Sequence, residues 1–382
     1  MTSETRTDTK IYLGLEDIPV VASSICSIDG VNGRLLYRGY DIADLASSAT
    51  FEEVVHLLWF GELPNARQLE SLRGDLRREQ QLPDAIIDLI RTLPRDGNSM
   101  SALRTLVSAL ALYAPESDVH VHDEQVREAI RLTVRMGTIV AAWGRHRAGE
   151  DPLQPDPDLG LAANFLAMLF GRRPDPAEEH AFDVALILHA DHELNASTFA
   201  ARVTAATLSD MYSAVTSAIG ALKGPLHGGA NEQVMRMLET IRSPEEADEY
   251  VRDRLARHER LMGFGHRVYR VEDPRATQLR RLSKELGELK GDTRWYDTSI
   301  AIEQAVRRER GLNPNVDFYS ASLYHTLGIP TELFTPIFAV SRISGWTAHI
   351  LEQYEHNRLI RPRAEYTGSE GRQYVSVEQR SA

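Results

Sequence analysis

The sequence predicts an all-α protein with a small β element near its N-terminus. Two features point there. Beyond Asp41, apolar residues recur at helical spacing, interrupted by short loops bearing Gly, Pro and Asn. β-leaning residues gather only between Tyr12 and Leu36, where Asp29-Gly30 and Asn32-Gly33 are strong turn signals. The 382 residues exceed what one core usually encloses, about 250–300, so two domains or one large one are expected. No internal repeat of fixed period organises the chain.

Taken in order, residues 1–10 read as a polar tail, followed by one or two hairpins ending at Tyr37-Arg38-Gly39-Tyr40. Thr50 with Glu53 forms a capping-box pattern ahead of Val54, Val55, Leu57, Leu58 and Trp59, and Gly61 closes that helix. Further helices are expected over 65–81, 83–92, 100–113, 123–143, 159–170 and 177–192. One long helix rich in Ala, Ser and Gly is expected over 204–222, stopped by Gly224-Pro225. Asn231 and Glu232 open the next. Ser243-Pro244-Glu245-Glu246 and Asp273-Pro274 are helix starts, with Pro at the first helical position, running to about Leu261 and Leu286. Helices over 296–310 and 318–327 follow, the latter after a loop from Leu312 to Asp317, and a long one runs from Thr335-Pro336 to about Tyr354. The tail from Arg361 onward is too polar to form its own core.

Bulk composition narrows the function. The formal charge of −12 argues against nucleic acid as the main partner, though it allows an anionic small molecule wherever arginines concentrate. The single cysteine, Cys26, excludes an intrachain disulfide framework and fits a reducing, cytoplasmic compartment. The first ten residues carry no apolar run of a signal peptide, and no stretch has the 18 or more apolar residues of a membrane span.

Polar residues concentrate at loops and helix ends. The first cluster is His189-Ala190-Asp191-His192-Glu193, with Asn195, Ser197 and Thr198. The second is Gly224-Pro225-Leu226-His227-Gly228-Gly229-Ala230-Asn231-Glu232, which reads either as a Gly-rich turn with an incidental His or as a site where a ligand approaches the backbone closely. The third is Gly263 to Arg275, holding His266, Arg267, Arg270 and Arg275; the fourth is Asp317 with Tyr319 and Ser320. Arg342 and Arg361 stand further on. Two chemistries fit. His189 and His192 beside Asp191 and Glu193 have the residue types of metal ligands, but no HExxH motif and no cysteine partner accompany them. Three histidines, one aspartate and several arginines suit metal-free carbanion chemistry on a polyanion. A carboxylate removes a proton next to a carbonyl, a neutral His donates to the enolate oxygen, and arginines hold carboxylates.

The stretch Gly224 to Glu232, then Gly263-Phe264-Gly265-His266-Arg267-Val268-Tyr269, then Asp273-Pro274-Arg275, then Asn315-Val316-Asp317-Phe318-Tyr319, resembles citrate synthase, in that order. The resemblance extends from Gly14-Leu15-Glu16 through Tyr37 to Ile42 and ends near Ile360-Arg361-Pro362; chain length suits the short bacterial and archaeal form. It implies a two-domain helical fold. Residues 1–228 and 329–382 would form the large, dimerising domain, and 229–328 a small domain that closes over the site. It implies condensation of acetyl-CoA with oxaloacetate and water to citrate, the first step of the tricarboxylic acid cycle, with no cofactor and no metal. His227 would hydrogen-bond the thioester carbonyl, Asp317 would take the methyl proton, and His266 would polarise the ketone and protonate the new hydroxyl. His192, Arg275 and Arg342 would hold substrate carboxylates, Phe338 would pack beside them, and Arg361 would arrive from the other subunit of a homodimer. Met262, Gly263, Phe264 and Gly265 would contact the adenine of coenzyme A, Arg267 or Arg270 its phosphates, and Asn231 would orient His227. His189, His325, His349 and His356 read as structural. The nearest alternative is 2-methylcitrate synthase, which takes propionyl-CoA; Gly265 to Tyr269 and His189 to His192 look more like citrate synthase. The alternative from another class is a non-catalytic helical scaffold or a metal-binding protein.

Overall fold

A computed structural model describes residues 11–15, 18–115 and 120–380. The expected polar tail over 1–10, and Glu16, lie outside the described residues. Two compact units are distinguished: Ser23–Arg358, and the terminal segments Met1–Ala22 with Leu359–Ala382. In the terminal unit, the described residues from Arg361 on are nearly all exposed, as their polarity predicts.

In the larger unit the β element is one meander. Strands β1 (Cys26–Asp29), β2 (Arg34–Tyr37) and β3 (Tyr40–Asp41) pair antiparallel in sequence order, with Ile28 opposite Leu35 and Tyr37 opposite Tyr40. Helices then follow: α1 (Ile42–Ser48), α2 (Phe51–Phe60), α3 (Ala66–Glu79), α4 (Asp84–Thr92), α5 (Ser99–Leu110), α6 (His122–Ala148), α7 (Leu161–Phe170) and α8 (Pro176–His189). After these come α9 (Ala196–Ala205), α10 (Met211–Leu222), α11 (Ala230–Glu239), α12 (Ala247–Ala256), α13 (Pro274–Lys290), α14 (Arg294–Arg310), α15 (Val316–Thr326) and α16 (Phe334–Glu355).

Local chemistry accounts for most boundaries. Thr50 and Glu53 form the capping box of α2, and Gly61 ends it in the left-handed conformation (φ 85°) that glycine adopts at low strain. Asp273 caps α13 with Pro274 at its first position. The expected helix over 204–222 is instead α9 and α10. Leu208 takes a left-handed φ of 63°, and Asp210 caps a new helix by accepting from the Ser213 N–H at 2.9 Å. The helix expected to reach Leu261 ends at Ala256, where the Arg257 and Glu259 N–H groups bond back to Asp253 and Arg254 and His258 turns left-handed. Asp317 lies in the first turn of α15, not in the loop before it.

Two helices organise the packing. Nearly every residue of α16 is buried; it contacts α2, α5, α6, α8, α9, α10 and α11. The second, α15, lies among α8, α11, α13 and α14. The chain thus places the four polar clusters at helix ends around these two buried rods. Helix α16 meets the C-terminal end of α8 at Gly345, whose N–H donates to the Ala190 carbonyl at 3.2 Å. A Cβ there would lie 3.0 Å from Asp191 Cβ, and closer still to Ala190 O and Asp191 Oδ1. Gly345→Ala is expected to destabilise the fold by about 1–3 kcal/mol through this overlap, read from the urea midpoint; an unchanged midpoint would contradict the contact.

Candidate active site

His227 sits in the corner between α10 and α11. Its N–H donates to the Gly224 carbonyl at 2.9 Å, and the Gly228 N–H donates to the Leu222 carbonyl at 2.9 Å. The two glycines do different things. A Cβ on Gly228 would press into Leu222, 2.5 Å from its carbonyl oxygen, so Gly228 serves close packing; the Cβ position of Gly229 faces open space. The His227 ring reaches the start of α9. There Asn195 caps the helix, and the Ser197 N–H points at His227 Nε2 at 3.3 Å while Ser197 Oγ lies 2.8 Å from the same nitrogen. The Ser197 N–H is shared between Asn195 Oδ1, at 3.1 Å, and His227 Nε2, and the Ser197 hydroxyl lies 2.7 Å from the same Asn195 oxygen. A peptide N–H can only donate, so with Nε2 as its second acceptor the ring proton falls on Nδ1. Burial, with the Arg342 charge, lowers this histidine to about 4, so it is a neutral donor at pH 7.

His266 is built by the same logic on the opposite nitrogen. The N–H groups of Val268 and Tyr269 donate to Nδ1 at 3.0 and 3.1 Å, leaving the proton on Nε2. Burial and then Arg275 lower it to about 4. The His192 ring stands 5.2 Å from the His266 ring, edge to face, and its Nε2 lies 3.3 Å from the Tyr269 hydroxyl. Burial drives His192 well below the usual value; Arg275, His266, Arg342 and His227 all add to this. Those couplings place the first, second and third clusters and Arg342 around one point.

The two arginines differ. Arg275 is buried in a bidentate pair with Asp273, Nε to Oδ1 at 3.0 Å and Nη2 to Oδ2 at 2.8 Å. Burial opposes its charge, but the Asp273 carboxylate outweighs this and raises it. Arg342 is 1% exposed. Its Nε donates to the His189 carbonyl at 2.7 Å and its guanidinium lies 4.6 Å from the Phe338 ring centre. Among the described residues no carboxylate lies within ion-pair distance of it; burial lowers it, and the nearby Asp191 carboxylate offsets this only in part. A desolvated guanidinium without a counter-ion is a ready receptor for a ligand carboxylate.

Asp317, in the first turn of α15, has a free-standing carboxylate: among the described residues it accepts no side-chain hydrogen bond. Burial raises it to about 6; Arg275 and Arg342 pull down, while Asp273 adds to the rise. Beside it lies the Gly263–Gly265 loop. Phe264 packs on Phe318 with ring centres 4.5 Å apart, and the loop is laced to Asn313–Asn315. The Asn315 N–H donates to Gly263 O, the Gly265 N–H to Asn313 O, and Asn315 Nδ2 to Gly265 O, each at 2.9 Å. The Gly263 carbonyl and both peptide groups of Gly265 are therefore engaged internally; those of Met262 and Phe264 lie outside this ladder. Arg267 and Arg270 are exposed.

The structure therefore brings together His192, His227, His266, Arg275, Asp317, Arg342 and Phe338. Asn231 is buried; its Oδ1 accepts from the Glu232 N–H at 2.8 Å and its Nδ2 has no partner among the described residues, while Ser197 contacts His227. Arg361 belongs to the terminal unit. Sequence reasoning missed Ser197 as the His227 partner and Asn195 as the cap that holds Ser197, Asp273 as the Arg275 counter-ion, and the buried chain from Arg202 through His349 to Asp191. The Asn195-Ala196-Ser197 cap pattern was the available signal for the first. A separate cleft of about 630 Å³, lined by Glu52, Arg73, Arg77, His180 and Asp183 among others, shares no residue with this constellation.

A family model described as "Citrate synthase, C-terminal domain" matches residues 14–363. The chain is 53% identical over 369 residues to citrate synthase 2 of Bacillus subtilis, covering 96% of this chain and 99% of that one. It is 52% identical to the citrate synthase of Haloferax volcanii, covering 96% and 98%. The relatives also include 2-methylcitrate synthases, one from Shewanella oneidensis at 43% over 92% and 93%. Among solved structures, a ternary complex of Thermoplasma acidophilum citrate synthase with carboxymethyl coenzyme A and oxaloacetate superposes with a TM-score of 0.91 at 36% identity, covering 97% of this chain and 100% of that one.

The raised Asp317 carboxyl makes a sign-definite prediction. Its folded value of about 6 stands above the ordinary 3.8. The stabilisation associated with the neutral acid is full below the lower value and is lost as pH rises through the upper one. Asp317→Asn is therefore expected to be more stable than the parent at pH 7.5, by on the order of 1–3 kcal/mol, with the gain vanishing near pH 4. Urea unfolding at both pH values reads this; no gain at pH 7.5 would contradict it.

Proposed function

The chain belongs to the citrate synthase family, and on that premise we propose that it condenses acetyl-CoA with oxaloacetate and water to citrate and free coenzyme A at the constellation described. The observation that supports this best is the complementary pair of neutral histidines: His227 with its proton on Nδ1 and His266 with its proton on Nε2. Enolisation needs a base on the methyl group and a neutral donor at the thioester oxygen. Asp317 takes the proton, and His227 donates from Nδ1 to the oxygen on which charge develops. A donor of this kind is worth about 10²–10³ in rate. The enol carbon attacks the oxaloacetate ketone, and His266 Nε2–H donates to the new alkoxide, giving citryl-CoA. Water then cleaves the thioester, releasing citrate and the thiol.

Binding follows from the arginines. Arg342 receives one carboxylate over the Phe338 face. Arg275 uses Nε and Nη2 for Asp273, so it presents only its remaining N–H groups. With Arg275 paired to Asp273, Arg342 is the one arginine of this constellation left without an ion pair to meet a dianion. That shortfall supports a second cation, Arg361, contributed across a homodimer. We assign 229–328 to a small domain carrying His266, Arg275 and Asp317, and 1–228 with 329–382 to a large domain carrying His192, His227 and Arg342. Closure of one over the other would assemble the site and exclude water. Met262, Phe264 and the Gly263 N–H are the peptide groups left to meet the adenine of coenzyme A, with Arg267 or Arg270 near its phosphates.

The decisive assay is thiol release from acetyl-CoA or propionyl-CoA, each with oxaloacetate. The expected outcome is a higher kcat/KM for acetyl-CoA, with an acid limb centred on about pH 6 as Asp317 ionises. A preference for propionyl-CoA would favour a 2-methylcitrate synthase instead, since one methylene is worth only about 1–3 kcal/mol in such a pocket. Asp317→Ala is expected to bind oxaloacetate yet lose turnover at least about a hundredfold; near-normal turnover would remove Asp317 as the base.

For the dimer, Arg361→Ala and Asp317→Ala are each expected to be nearly inactive alone. Co-expressed, they should regain activity in mixed dimers that hold one intact site. No recovery would show that Arg361 acts within its own chain or not at all.

A further inference from the structure

The chemistry uses the His266 ring, and the ring is held by the peptide groups of Val268 and Tyr269. What holds those peptides is the tip of the β1–β2 hairpin. At the tip, Asp29 Oδ1 accepts from the Val31 and Asn32 N–H groups at 3.0 and 2.9 Å, and Asn32 Nδ2 donates to Asp29 Oδ2 at 2.7 Å. The turn is thereby shaped by its own side chains, and the Gly30 carbonyl accepts from the Arg270 N–H at 2.8 Å. The two backbones meet directly. A Cβ on Gly30 would lie 2.9 Å from the Val268 carbonyl carbon and closer still to its oxygen. A Cβ on Gly33 would lie 2.8 Å from Val271 Cγ2 and 3.2 Å from Glu272 O. The segment 268–272 touched by the tip is thus bounded on one side by the amides that set the His266 tautomer and on the other by Asp273, the partner of Arg275. Tyr269, within it, reaches His192.

We propose that the hairpin tip is the seat on which the 268–272 segment lands when the site assembles, and that Gly30 is thereby a positioning residue for His266. This rests on the domain division and catalysis proposed above, in which the tip belongs to the large domain and 268–272 to the small one. A glycine is required at position 30 by approach, not by conformation: Gly33 is left-handed (φ 65°), whereas Gly30 is not among the positive-φ glycines. An alanine therefore fits the hairpin itself and conflicts only with the docked segment. That separates docking from folding.

The test compares the full-length parent with Gly30→Ala, Asp29→Ala, Asp29→Asn and, as a control, Val31→Ala, whose side chain is 70% exposed at the same tip. Three readouts are taken: kcat and KM for each substrate, the infrared stretch of the bound oxaloacetate ketone, and amide exchange at Arg270 with and without oxaloacetate. Gly30→Ala is expected to lower kcat by about tenfold or more, since a small misplacement of a donor suffices for that. It should also raise the oxaloacetate KM, lessen the ketone shift, and abolish protection of the Arg270 amide, with little change in thermal midpoint. Asp29→Ala should move the same readouts in the same direction; Asp29→Asn, which keeps the turn acceptor, should restore them, and Val31→Ala should match the parent. Kinetics and ketone shift within twofold of the parent in both Gly30→Ala and Asp29→Ala would overturn the seat, as would an Arg270 amide unprotected in the oxaloacetate-bound parent. Should Gly30→Ala fail to fold, the Asp29 pair decides alone. A parent that releases no thiol from either acyl-CoA would instead overturn the proposed function.

Discussion

Three backbone N–H groups, aimed at two imidazole nitrogens, set the chemistry of the whole site. A peptide N–H has no choice but to donate, so the nitrogen it faces must be the bare one. Ser197 thereby places the His227 proton on Nδ1, and Val268 with Tyr269 place the His266 proton on Nε2. The Ser197 amide also lies in the first turn of α9, where Asn195 Oδ1 caps it at 3.1 Å and the helix field disfavours an imidazolium. Burial acts in the same direction on both rings. Two neutral donors, which the proposed acid–base catalysis at an enol and a ketone requires, thus follow from where one helix begins and how one loop turns.

Charge is handled asymmetrically around them. Asp273 and Arg275 neutralise each other inside the fold, and Asp273 also caps α13 and accepts from the Val316 N–H at 3.2 Å. That pair is structural as much as functional. Arg342 and Asp317 are the opposite case, charges held without a direct ion pair at a cost in stability, which the proposed substrate carboxylate would offset at Arg342. One waits for an anion, and the other is raised toward neutral pH, which makes it a stronger base once ionised. The buried line Arg202–His349–Asp191 reaches the turn before His192, and Gly345 lets α16 pack against Ala190 and Asp191 there.

Much of this was legible in the sequence, where local chemistry decides. Thr50 with Glu53, and Asp273 with Pro274, announced their helices because the capping partners are three residues apart or fewer. The hairpin was announced by Asp29-Gly30 and Asn32-Gly33. The misreadings share a cause: tertiary context. Nothing in the Ala-rich run 204–222 signals that Leu208 turns left-handed, and only the Asp210 cap hints at the break. His227, His266 and Asp317 could be singled out because their motifs are contiguous. Ser197 as the partner of His227 was not, because the contact spans thirty residues and joins two helices whose packing the sequence does not spell out.

The most direct test of the account is the ¹⁵N chemical shifts of the His227 and His266 ring nitrogens in the full-length protein, followed from pH 5 to pH 9. The account predicts two neutral imidazoles throughout that range, His227 protonated on Nδ1 and His266 on Nε2. An imidazolium at either ring above pH 6, or the opposite tautomer at either ring, would contradict it.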